Sequence, residues 1–241
     1  MEALLAQARM ELLLTIRRAE GVLITLVVPA VLLVFFASLG IAPPEYARPV
    51  DFLLPGMLAL AVMSTGLVSL GIRTAYERSY GVLKRLGSTP LGRGRLLGAK
   101  VISVVAVVAA EIALLLAIAA IGYDWRPGGS LLWALLALVL GTATFSSIGL
   151  LLAGTLRAET TLAAANGLYL LLLLLGGIVW PVERLPGPLG LVGLLLPSNA
   201  LAEALRLSLG PQPVAPLPQL FALLLWCAGV LVLASRTFRW E

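Results

Sequence analysis

Apolar residues dominate six stretches of this chain, and polar or turn-forming residues gather between them. The stretches run over 21–40, 52–72, 96–121, 131–156, 160–180 and 217–235. A helix needs roughly 20 residues to cross a hydrocarbon core about 30 Å thick, at about 1.5 Å of rise per residue. The pattern therefore predicts an all-α polytopic membrane protein with six transmembrane helices, in which 1–241 forms one transmembrane domain. The third and fourth stretches exceed what a bilayer requires and are expected to tilt or project. Pro29 and Pro55 fall in or near spans, where neighbouring helices can satisfy the carbonyls that proline frees.

Two segments outside the spans carry patterns of their own. Leu4, Leu5, Ala8, Leu12 and Ile16 alternate with Gln7, Arg9, Glu11 and Arg18 at spacings that suit an interfacial helix over 1–20. A cleaved signal peptide is the competing reading, but the following apolar run is too long and too far from the start. Between the last two spans, 181–216 holds a short apolar run at 189–196 and then Pro197-Ser198-Asn199. Ser198 or Asn199 can cap a helix over 200–209. A pair of short re-entrant helices is expected there, with a structured outer loop as the plainer alternative.

Composition agrees with the pattern. Hydrophobic residues make up 60% of the chain and charged residues 12%, with a mean hydropathy of +1.03. A soluble domain carries about a quarter charged residues, so this chain cannot cover a soluble globule. The lone Cys227 allows no disulfide within the chain. The absence of His excludes a Ser-His protease, a His-ligated metal site and a His proton relay. Residues 92–100, GRGRLLGAK, resemble a phosphate loop superficially but place Ala99 where Lys must follow Gly98. No catalytic, metal or nucleotide site is expected in this chain. ATP-driven work would need another chain to bind the ATP and its Mg.

Charge sets the expected orientation. With both termini cytosolic, the inner segments hold Arg9, Arg17, Arg18, Arg73, Arg78, Lys84, Arg85, Arg93, Arg95, Lys100, Arg157, Arg236 and Arg239. The outer segments hold Arg48, Arg126, Arg184 and Arg206. Thirteen against four is the asymmetry that cytosolic retention of Lys and Arg produces, and an even number of spans follows. The net charge of +5 reflects this bias rather than nucleic-acid binding.

A few polar residues lie inside spans. Glu111 falls near the middle of the third, where a charge costs at least roughly 2.5 kcal/mol. It either contacts a substrate or proton on a path or is protonated at a helix contact. Ser64, Thr65 and Ser69 in the second span and Asn166 in the fifth allow the same two readings. Gly141, Thr142, Thr144, Ser146, Ser147 and Gly149 in the fourth are read first as close packing between helices.

Seven of the seventeen Lys and Arg residues fall between Arg73 and Lys100. Within this cytosolic region, 74–90, the apolar or aromatic residues Tyr76, Tyr80, Leu83 and Leu86 are interspersed with Glu77, Arg78, Lys84 and Arg85. A short helix over 76–86 with that mixture can dock in a partner's groove, or it can lie solvated at lipid headgroups. Glu77-Arg78, Gly81, Leu83, Arg85-Leu86 and Thr89-Pro90-Leu91 resemble the signature region of ABC-2 type transporter permeases. Gly176-Gly177, Pro181, Leu185-Pro186, Pro197 and Ala204-Leu205-Arg206 are similar to that family's loop between its last two spans.

The resemblance is strongest to bacterial drug-exporter permeases of the daunorubicin-resistance type. It implies a multi-pass subunit of the bacterial cytoplasmic membrane that pairs with a second permease copy, as a homodimer or with a close homologue. Two copies of an ABC ATP-binding subunit would complete the complex. The segment 76–86 would be the coupling helix, with Glu77, Arg78, Lys84 and Arg85 as polar contacts and Tyr80 and Leu83 as buried anchors. Substrate, an amphipathic or lipid-like molecule, would pass between the two copies. A secondary transporter or channel without an ATPase, or a non-transporting scaffold subunit, are the alternatives.

Overall fold

The computed structural model describes residues 7, 9–11, 13, 19–87, 93–210 and 214–238, and of 19–24, 86–87, 93–95 and 97 the backbone alone. Every regular element among them is helical. The long helices are α1 (Ala19–Ser38), α2 (Pro49–Ser79), α4 (Arg93–Tyr123), α5 (Leu131–Thr155), α6 (Ala158–Leu175) and α9 (Leu217–Thr237). Short helices α3 (Val82–Gly87), α7 (Pro188–Leu195) and α8 (Pro197–Leu209) join them. By length and hydropathy α2, α4, α5, α6 and α9 can each cross a membrane. The 20 residues of α1 rise about 30 Å, enough for a sixth span.

Successive long helices run in opposite directions, which gives the bundle two distinct ends. At one end the Arg78 guanidinium donates to the carbonyl of Leu156, joining the end of α2 to the α5–α6 junction. This is the basic end. At the opposite end Tyr123 donates to the Val34 carbonyl (3.2 Å) and Ser130 N–H to the Ser208 carbonyl (2.8 Å).

Helix α2 is the hub. Every residue from Phe52 to Met63 is buried, as befits a helix that is apolar all round. Its middle widens into a π-helical segment, Ser64–Ser69. There the backbones of α2 and α5 nearly touch. A Cβ on Gly149 would lie 2.7 Å from the Gly66 carbonyl oxygen and 2.8 Å from that of Leu67. Thr142, Thr144, Ser146 and Ser147 of α5 are all buried. Thr144 donates to the Leu140 carbonyl within α5 and approaches the Leu223 carbonyl of α9 at 3.1 Å, so these polar groups serve helix contacts.

The segment between α6 and α9 turns back on itself. Helices α7 and α8 meet at 74°, where Pro197 cannot extend α7 and starts α8 instead. The end of α8 returns to the same end of the bundle, since Gly128 N–H donates to the Leu209 carbonyl at 3.2 Å. The expected capping is corrected here: α8 begins at Pro197, Leu196 is its N-cap and no side chain caps it.

Boundaries differ from the apolar pattern where packing extends or ends a helix. Helix α2 continues past residue 72 to Ser79, so Tyr76, Glu77 and Arg78 belong to its last turns rather than to a separate coupling helix. Helix α6 stops at Leu175, short of residue 180. The interfacial helix expected over 1–20 lies largely outside the described residues, as do 88–90 of the region 74–90.

Candidate functional site

At the basic end, four charged side chains from three parts of the chain converge. Lys100 of α4 is fully buried, and its ammonium lies 2.9 Å from Glu11 Oε1 and also donates to Glu77 of α2. Arg73 of α2 lies 3.8 Å from Glu11 and 3.9 Å from Glu77. Its guanidinium reaches Ser103 of α4 at 3.5 Å, and Gln7 donates to Glu11 at 3.3 Å. Two cations face two anions, so the cluster is charge-balanced. Balance is what permits burial, because an unpaired ion out of water costs several kcal/mol. The arrangement ties Glu11, α2 and α4 into one unit.

Beyond this cluster the chain makes a sharp break. Gly81 N–H donates to the Arg78 carbonyl at 2.9 Å, and Gly81 takes φ +71°, the left-handed conformation that glycine adopts at little cost. Helix α3 then starts at Val82. The break presents Tyr80, 73% exposed, together with exposed Val82, Lys84 and Arg85. Tyr76 instead packs on Ala75, Ala153 and Ala158.

The expected docking residues therefore divide into two groups. Tyr80, Lys84 and Arg85 face outward. Leu83 is corrected from a partner-facing anchor to a residue of this chain's own core, because it is fully buried within the chain. Glu77 and Arg78 are likewise corrected: the first is held by Lys100 and Arg73, the second by the Leu156 carbonyl. The side chain of Leu86 is outside the described residues.

In the membrane-spanning part, Thr65 in the π-helical segment donates to Glu111 Oε1 at 2.7 Å, and Thr25 of α1 is the second hydroxyl acting on this carboxyl. Glu111 is 1% exposed, so it sits at a three-helix contact of α1, α2 and α4. Ser64 and Ser69 are only half-buried on α2. Asn166 lies apart from them on the exposed side of α6, its amide donating to the Leu162 carbonyl at 2.9 Å. The five residues proposed for a substrate path do not form one lining within a single chain.

Sequence reasoning missed the partnership of Lys100, Glu11 and Arg73. Lys100 read as a charge flanking the third span, and Glu11 as one polar position on an interfacial helix. The signal was present in the spacing: Arg73 and Glu77 share one face of α2 at i and i+4, and a lysine at the mouth of an apolar span needs an anion nearby.

A family model for the ABC-2 type transporter matches residues 2–209. The chain is 30% identical over 207 residues to a Bacillus subtilis (strain 168) protein named "Putative transport permease YvfS", covering 82% of each. It is 25% identical over 171 residues to "ABC transporter G family member 20" of Dictyostelium discoideum, covering 69% of this chain but 23% of that protein. With the helical bundle and the signature segments of 77–91 and 176–206 in place, this chain belongs to the ABC-2 type transporter family.

Proposed function

We propose that this chain is the permease subunit of an ATP-driven exporter in a bacterial cytoplasmic membrane, with both termini and the basic end in the cytosol. A separate ABC ATP-binding subunit, in two copies, docks on the exposed turn of Tyr80, Lys84 and Arg85. A second permease copy completes the complex, and an amphipathic or drug-like molecule crosses between the two copies. The observation that carries this reading is the mounting of that turn. It projects from the end of α2, and the buried cluster of Lys100, Glu11, Arg73 and Glu77 fastens α2 to α4 directly behind it. Movement imposed on the turn is passed to both helices, because packed helices shift as rigid bodies rather than deform. The exposed, half-exposed and small residues of α6, Asn166 among them, suit the side facing the second copy. ATP and Mg belong to the partner.

Copurification tests the docking. A co-expressed ATP-binding subunit is expected to stay with the tagged wild-type permease and to be lost from a Tyr80→Ala, Lys84→Glu, Arg85→Glu variant. Equal retention by both would overturn the docking assignment.

A further inference from the structure

The end of the bundle opposite the basic segment holds an open cavity of about 570 Å3, within the ~300–1,000 Å3 typical of small-molecule sites. Its wall is assembled from separate parts of the chain: the turn before α2, the start of α2 at Phe52, the 3-10 turn at Val182–Arg184, α8 and the first turn of α9.

The charges on this wall are unequal. Glu45, Glu183 and Glu203 face two guanidiniums, Arg184 and Arg206, and both guanidiniums are already engaged. Arg184 binds the Glu45 carboxylate at 3.0 and 3.3 Å. Arg206 donates to the carbonyls of Gly177 and Ile178 at 2.6 and 3.3 Å, meets Glu203 at 3.4 Å, and lies 4.0 Å over the Phe52 ring. Glu183 has no ion pair among the described residues, which leaves the wall one negative charge in excess. Asn199 is 8% exposed, lines the cavity, and makes no side-chain hydrogen bond among the described residues. Gln219 adds a buried carbonyl oxygen without a hydrogen bond.

Such a wall asks for a particular chemistry. A buried amide without partners is costly to maintain, and a ligand carrying hydroxyls supplies both its donor and its acceptor. Surplus carboxylate favours a cationic group and repels phosphate or sulfate. We propose that this cavity binds an amine-bearing, hydroxylated molecule of the amino-sugar class, the amine facing Glu183 and Glu203 and the hydroxyls facing Asn199 and Gln219. It names the polar end of the molecule released at this face, and to that extent it rests on the export reading. The binding itself needs no ATPase.

The test uses purified full-length permease in nanodiscs of phosphatidylcholine and phosphatidylglycerol, titrated with glucosamine and followed by calorimetry. Saturable binding is expected, at least tenfold tighter than for glucose or N-acetylglucosamine, which lack the cationic amine. Glu183→Gln alters an exposed side chain outside any ion pair and is expected to weaken glucosamine at least tenfold. Asn199→Leu is expected to do the same, and Glu203→Gln provides a third variant. Equal affinity for glucose and glucosamine, or binding unchanged by Glu183→Gln, would overturn the proposal. So would loss of glucosamine binding when phosphatidylethanolamine replaces phosphatidylcholine, because the lipid amine would then be the ligand. Failure here leaves ATPase copurification untouched, and failure of copurification leaves this binding untouched.

Discussion

Lys100 and Glu11 stand 89 residues apart in the chain and 2.9 Å apart in space, with the lysine fully buried. This contact brings the N-terminal segment onto the start of α4, and Glu77 closes it from α2. A buried cation with two anionic partners cannot be neutralised on one side alone.

Lys100→Met is accordingly expected to destabilise the fold by about 3–5 kcal/mol, the usual cost of leaving buried charges uncompensated. Adding Glu77→Gln restores balance between Glu11 and Arg73 and is expected to recover part of the loss, a coupling of ~0.5–3 kcal/mol. Heat inactivation followed by size-exclusion chromatography distinguishes the two. A double variant no more stable than the single one would show that the pair does not act as a unit.

Contact between α2 and α5 depends on the absence of a side chain at Gly149. Gly149→Ala places a methyl against two backbone carbonyls at 2.7 and 2.8 Å, and backbone cannot yield as a side-chain tip can. Destabilisation of about 1–3 kcal/mol is expected, as for an overpacked core. Gly229 of α9 has no atom within 4 Å of the same position, so Gly229→Ala is expected to be neutral or mildly stabilising. Thermal unfolding in detergent compares them directly.

Glu111 and Thr65 make a buried hydrogen bond at 2.7 Å. Glu111→Gln keeps an acceptor for the Thr65 hydroxyl and is expected to leave stability close to wild type. Glu111→Leu removes the acceptor, orphans that hydroxyl, and is expected to cost about 1–3 kcal/mol. If transport assays show Glu111→Gln inactive while the fold is intact, the carboxyl has a role in the path beyond this contact.

Acid should loosen the outer turn. Glu45 is held below the usual carboxylate range by a backbone hydrogen bond first and by Arg184 as well. A depressed carboxylate contributes above its unfolded value and stops contributing as pH falls through the folded one. The Arg184 contact is therefore expected to be unchanged near neutrality and to open only in acid below that range. A 13C titration of the Glu45 carboxyl should report a midpoint lower than in Arg184→Gln. Because Glu45 is exposed, the effect is expected on local order rather than on global stability.

Much of the fold was legible in the amino-acid pattern, and for a physical reason. Membrane length and apolar composition constrain each span separately, so 131–156 and 217–235 fall within two residues of α5 and α9. The path from Tyr76 to Leu86 was harder. Glu77 and Arg78 look like surface charges in any window of sequence, and only packing against α4 and the α5–α6 junction turns them inward. Gly81 was the visible clue, since a glycine amid a helical pattern marks a place where the chain can reverse. The cluster around Lys100 was invisible for a related cause: its members come from distant segments, and local periodicity carries no record of who meets whom.

The burial of α2 has a mechanical meaning. Over most of its length this helix is surrounded by its own neighbours, while α6 and α9 keep most of their apolar surface outside the chain. Acyl chains are fluid and absorb displacement by flowing aside. A push delivered at Tyr80 instead enters a column sheathed in protein, where little of it can be lost sideways before it reaches the π-helical turn at mid-membrane.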